Sequence, residues 1–340
     1  MKAITNCPST LAVGFETYSP VALRKVFDKQ KVSHLLPYES IETNENDAKL
    51  FMENKKRISI SGVQSKYSMI VRSGEARFDS DQLILTPKGY QGTYILKPKP
   101  AGIGNPMECA ANENLTMQIA EQIFKLETAP NGLCFFQNGE IAYLTKRFDV
   151  GTDGNKYRVE DLASLAELTS ENAGGNFKYN YSYEEIAELI KRFIPAWTVE
   201  LLKFYRLILF NFLFSNGDAH LKNFSVIDRG GNDFRLSPAY DLLNTKIHVD
   251  DTDFALDRGL FKAENSDFFK GGKAIGKSFK QFGLQIGLPE KVVDKELAVF
   301  TAKQPLIDVL INNSFLSEKV KRQYLMLYQT KRNRLIDMKL

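Results

Sequence analysis

The chain has 340 residues, 43% hydrophobic and 25% charged, the balance of an ordinary globular protein with room for one large domain or two packed lobes. A net charge of +4 and a pI near 8.7 are too mild to argue for nucleic-acid binding and suit an anionic small-molecule substrate. Three scattered cysteines, Cys7, Cys109 and Cys134, exclude a disulfide framework or a zinc site and fit a reducing cytoplasm. Residues Met1 to Val13 lack the apolar core of a signal peptide, and the most apolar stretch, Leu207 to Phe214, is interrupted by Asn211 and too short to span a membrane.

In chain order, residues 1–56 read as a small irregular and helical N-terminal segment. From Arg57 to Val71, small, polar and β-branched residues alternate around Gly62, the pattern of strand, tight loop, strand. Gln91 to Lys97 is a further strand. A Pro- and Gly-rich loop follows, and then a helix from Glu108 to Leu126 with Leu115, Ile119 and Ile123 at helical spacing. Strands are expected at Gly132 to Phe136 and Ile141 to Phe148. Beyond that the pattern turns helical: Glu160 to Leu168, Tyr183 to Phe193, Val199 to Phe214, Lys280 to Ile286, Glu290 to Ala302 and Ser317 to Met338. One hairpin interrupts it, Phe224 to Asp228 with Asp233 to Leu236 around Arg229-Gly-Gly. The expected fold class is α+β, two-lobed and protein kinase-like. Its β-rich N-lobe spans 57–150 and its mainly α-helical C-lobe spans 151–340.

The segment that carries chemistry is Asn216-Gly-Asp-Ala-His-Leu-Lys-Asn223. Asp218 and Asn223 stand at the Asp-x-x-x-x-Asn spacing of a kinase catalytic loop. A carboxylate there can orient an attacking hydroxyl and take its proton. A neutral oxygen ligand can help hold magnesium, which takes few hard oxygen ligands from protein. Asp241, just past the hairpin, supplies the second. Asn-Gly-Asp is equally a good turn, and taken alone the spacing is structural in most chains. His220 either bonds a phosphate or orients the loop; Lys222 either neutralises a transferred phosphate or is solvated.

Phosphoryl transfer also needs a cation on the nucleotide phosphates. Lys97 ends an apolar strand and is either that cation or an edge-strand charge. Glu113, on the following helix, is its expected partner, with Glu108 as an alternative. The loop around Gly62 and Val63 can cover phosphates; it lacks the second glycine of a Walker A loop. The strand exit at Lys146, Phe148 and Asp149 offers backbone groups for an adenine edge and a carboxylate for a ribose hydroxyl, or is an ordinary strand end.

Taken together, Ser59-Ile-Ser-Gly-Val-Gln-Ser-Lys66, Ile95-Leu-Lys-Pro98, Lys146-Arg-Phe-Asp149, Val159-Glu-Asp-Leu162, Asn216 to Ser225 and Pro238-Ala-Tyr-Asp-Leu242 resemble the HipA-like toxin kinases. The resemblance implies a cytoplasmic, bacterial, ATP- and Mg2+-dependent serine/threonine kinase of a toxin–antitoxin module that arrests growth and promotes persistence. It implies Asp218 as base, Asn223 and Asp241 on magnesium, Lys97 on the phosphates and a backbone hinge at Lys146 to Phe148. It implies autophosphorylation of Ser59 or Ser61, which inactivates the enzyme. The implied substrate is an aminoacyl-tRNA synthetase, tryptophanyl- or glutamyl-. With about 55 residues before Arg57, the chain is similar to the short form, HipT. The implied partners are then small HipS-like and HipB-like antitoxins, with DNA reached only through the antitoxin and no membrane. Alternatives are a HipA-like effector kinase with another protein substrate, or a weakly active member serving an autoregulatory antitoxin–DNA complex.

Overall fold

A computed structural model of the protein describes residues 3–40, 64–73, 80–87, 90–151, 154–262 and 273–338. The chain divides into two units. One holds residues 1–148, 247–249 and 305–324; the other holds 149–246, 250–304 and 325–340.

The first unit opens with helix α1 (Pro20–Phe27). Ser19 caps it by accepting the Ala22 N–H, Pro20 fits the first turn, and Asp28 ends it in a left-handed conformation. A five-stranded antiparallel sheet follows, of β1 (Tyr67–Arg72), β2 (Gln82–Leu85), β3 (Tyr94–Lys97), β4 (Asn131–Phe135) and β5 (Ile141–Lys146), in the order β2-β1-β3-β5-β4. β4 is buried at every residue, so its apolar run needs no alternation. Helix α2 (Cys109–Gln122) packs against β4 and β5, and its residues Cys109 to Ala120 are all buried. Its polar side chains therefore find partners inside. Asn112 meets His248 Nε2 at 2.9 Å, Asn114 donates to Asn131 Oδ1 at 3.0 Å, and Thr116 meets the Tyr324 hydroxyl at 2.8 Å.

The second unit contains a three-stranded antiparallel sheet, order β6-β7-β8, of β6 (Arg158–Asp161), β7 (Ser225–Asp228) and β8 (Phe234–Leu236). Its helices include α3 (Tyr183–Phe193), α4 (Trp197–Leu213), α5 (Gly276–Gln285) and α6 (Glu290–Thr301). Phe204, Phe212, Phe279 and Phe282 form an aromatic core between α4 and α5. Two further helices close the chain: α7 (Pro305–Asn313), within the first unit, and α8 (Glu318–Ile336), shared between the two.

One element differs from the sequence expectation. The helix foreseen from Glu160 is strand β6 up to Asp161, followed by a single helical turn, Leu162–Leu165. Arg158 to Asp161 pair with Asp228 to Ser225, and that ladder outweighs local helical preference. Strand β2 was not anticipated, and helix α7 falls in the C-terminal third expected to be helical without having been delimited there. Among the described residues, no helix is long and apolar enough to cross a membrane.

Candidate active site

The loop after α4 is fixed by its own backbone. Ser215 turns left-handed, the Asn216 N–H donates to Asn211 O at 2.8 Å, and the Gly217 N–H donates to Thr245 Oγ1 at 2.9 Å. Gly217 is required by space: a Cβ there would lie 2.6 Å from the Thr252 carbonyl oxygen. A 3-10 turn, Leu221–Asn223, then presents Asn223. Its side-chain Oδ1 accepts the His220 N–H at 3.1 Å, and its Nδ2 lies 3.4 Å from Asp241 Oδ2. Asp241 holds a left-handed φ of 55°, a conformation that costs a non-glycine residue about 1 kcal/mol and that points to a constrained position. The hairpin β7–β8 thus returns Asp241 to the loop that carries Asp218 and Asn223.

Asp218 is 11% exposed at its side chain. Burial pushes its carboxyl up to about 8, the Lys178 cation opposes that, and Asp251 and Asp241 add to it. His220 is 3% exposed, with neither ring nitrogen hydrogen-bonded, and Nε2 is 3.9 Å from Asp218 Oδ1. Burial, with Lys178 beside it, drives the imidazole down to about 3, so it is neutral at physiological pH. A divalent cation fits the donors present. Asn223 Oδ1 keeps one lone pair beyond its bond to His220, Asp241 offers a carboxylate, and both are hard oxygen ligands. No group of three or more His, Cys, Asp or Glu that could hold a metal occurs among the described residues, so phosphate oxygens and water would complete a magnesium shell.

In the first unit, Lys97 Nζ lies 2.7 Å from Glu113 Oε1, both side chains are at most 5% exposed, and the ammonium sits 5.1 Å from the Tyr143 ring centre. The anticipated pairing of strand lysine and helix glutamate therefore exists. The alternative, Glu108, instead accepts the Ser317 N–H at 3.0 Å. The Lys146 side chain is turned to Asp28, 2.6 Å away, and its N–H is used by Pro130 O. Phe148 ends the first unit and the buried Asp149 opens the second, with Lys156 Nζ 4.0 Å from its carboxylate. Lys222 is exposed, its ammonium 5.2 Å from the Phe177 ring centre. Gly62, Val63, Ser59 and Ser61 lie outside the described residues.

Sequence reasoning passed over three residues next to Asp218. Tyr179 donates its hydroxyl to Asp218 Oδ1 at 3.4 Å, Lys178 supplies the main opposing charge, and Asp251 adds a third carboxylate. The available signal was Asn176-Phe-Lys-Tyr-Asn180, aromatic and cationic residues interleaved in a polar loop.

Compared with known families, the chain matches the HipA-like C-terminal domain over residues 58–304, most of its length. It belongs to that family. This HipA-like chain is 28% identical over 294 residues to the "Putative kinase" of Haemophilus influenzae, a match covering 82% of the chain and 81% of the relative. It is 30% identical over 200 residues to "Putative kinase Y4mE" of Sinorhizobium fredii, covering 57% of the chain but only 44% of that relative. Among solved structures it resembles HipA of Shewanella oneidensis MR-1, determined in complex with HipB and operator DNA. The TM-score is 0.61 at 19% identity, covering 88% of this chain and 72% of that one. At that identity the likeness is one of fold, and the fold is α+β and kinase-like.

Proposed function

We propose that the protein is an ATP- and Mg2+-dependent serine/threonine protein kinase acting as the toxin of a toxin–antitoxin module. The observation that carries this reading is the return of Asp241 to within 3.4 Å of Asn223, on the loop that bears Asp218. Asp218 orients the acceptor hydroxyl and takes its proton. Asn223 and Asp241 would hold magnesium, which would neutralise phosphate charge. Lys97, kept in place by Glu113, would serve the nucleotide phosphates, and the Lys146 to Asp149 segment would serve the adenosine.

The protein substrate is an aminoacyl-tRNA synthetase, whose phosphorylation stops tRNA charging in the cytoplasm. A HipB-like partner, as in the Shewanella complex, brings the protein to DNA; a small HipS-like protein is the further antitoxin of a HipT-like short form. Phosphate on Ser59 or Ser61 would place nearly two negative charges in the phosphate-covering loop and oppose nucleotide binding.

The test is induction of wild type against Asp218→Asn, with growth and the phosphoproteome read shortly afterwards. Wild type should arrest growth, phosphorylate a synthetase and carry phosphate on Ser59 or Ser61; the variant should lose transfer by about a thousandfold. Equal toxicity from both would sink the kinase-toxin reading.

A further inference from the structure

The 3-10 turn Phe177–Tyr179 lies outside every motif that suggested the function, yet it sits against the base. It is built to hold still. The Tyr179 N–H donates to Asn176 O at 2.9 Å, Tyr179 O accepts the Asp257 N–H at 2.9 Å, and Asn180 Nδ2 donates to Ala173 O at 3.0 Å. The Tyr179 ring, 6% exposed, stands edge-on to the His220 ring with centroids 5.3 Å apart. Lys222 covers the neighbouring Phe177 ring, so the base loop grips the turn at two places. From this seat Tyr179 aims its hydroxyl at Asp218 Oδ1, and Lys178 sets its ammonium 5.0 Å from the tyrosine ring centre.

We propose that this turn is a positioning element for Asp218: the Tyr179 hydroxyl fixes Oδ1 so that Oδ2 is left for the acceptor hydroxyl, and Lys178 sets a positive charge beside the carboxylate. The use assigned to the carboxylate rests on the kinase reading; the geometry does not. The need is electrostatic. The groups facing Asp218 are Asp241 and Asp251 from the segment after β8, neutral His220 from its own loop, Tyr183 from α3, and Lys178 and Tyr179 from the turn. Two of these are carboxylates that oppose its ionisation, whereas the turn contributes a cation and a hydrogen bond that favour it. Without the turn, the carboxyl would hold its proton to still higher pH.

Two measurements on the full chain test this. In protein labelled with 13C at aspartate Cγ, the Asp218 resonance is assigned by its loss in Asp218→Asn, and its titration is followed. Tyr179→Phe and Lys178→Gln should each raise the midpoint, by about half to one unit, and Lys178→Arg should restore it. In phosphoryl-transfer assays the same two variants should lower kcat about tenfold, with KM for ATP unchanged. Melting temperatures identify any variant that is merely misfolded, and the three variants, which change only one side-chain head each, give independent readings. An unmoved midpoint in folded Tyr179→Phe overturns the tyrosine's role, and an unmoved midpoint in folded Lys178→Gln overturns the lysine's. A moved midpoint in a protein that transfers no phosphate supports the turn's role and sinks the kinase reading instead.

Discussion

Lys97 and Glu113 are both buried, and each meets an opposite charge at 2.7 Å. Asp218 and Asp251 are likewise withdrawn from water, but Asp218 faces Asp251 and Asp241 against the cation of Lys178, and Asp251 faces Asp250 as well as Lys246. The first arrangement is complete without a ligand: it satisfies two desolvated charges and fixes where an ammonium sits. The second accumulates like charge that a cation would relieve. Stability and ligand response should therefore diverge between them. Substitution at the pair should destabilise the resting protein, whereas removing a carboxylate from the acidic group should do the reverse.

The largest effect is expected at the pair. Glu113→Gln or Lys97→Met removes one of two opposite buried charges that meet at 2.7 Å and should cost about 3–5 kcal/mol in urea denaturation. The double variant Lys97→Met with Glu113→Leu should recover most of that loss while remaining unable to transfer phosphate, which separates folding from function. A smaller effect is expected at Gly217→Ala. The added carbon meets a backbone oxygen that cannot swing aside, for a cost of about 2 kcal/mol by the same measurement.

The smallest effect has the opposite sign. The Asp218 carboxyl titrates near 8 when folded and near 4 when unfolded, so the unfolded chain ionises first as pH rises. Stability associated with this group is complete below about pH 4 and is lost progressively up to about pH 8. Asp218→Asn should therefore be more stable than wild type at pH 8, by about 1–2 kcal/mol, with the gap closing toward pH 4. Thermal melts across that range check it, and a gap that widened toward acid would reverse the assignment. Adding Mg2+ with ATP should narrow the gap at pH 8, because bound ligand stabilises the wild-type fold in its ionised form.

Much of this contrast was legible in the sequence. The Asp-x-x-x-x-Asn spacing, Asp241 beyond a hairpin around Arg229-Gly-Gly, and Lys97 at a strand end each follow from local pattern, and the structure pairs Lys97 with Glu113. Strand β6 was misread because its state is decided by a partner in β7, some 65 residues later, which no local window contains. Helix α7 begins with Pro305 at its first turn, a usable start signal, but its short apolar run does not distinguish helix from strand. Lys178 and Tyr179 escaped notice for the same reason as β6: the 39-residue separation between Tyr179 and Asp218 is bridged only in the folded chain.

The polar residues buried along α2 have a consequence for control. Asn112, Asn114 and Thr116 are each paired to a different element, so rotating or sliding the helix would orphan several desolvated groups at once, at roughly 1–3 kcal/mol apiece. Glu113 rides on that helix, which makes its grip on Lys97 a fixture. A cell that needs to silence this protein gains little by trying to swing α2; the accessible levers are occupancy, covalent modification and masking by a partner.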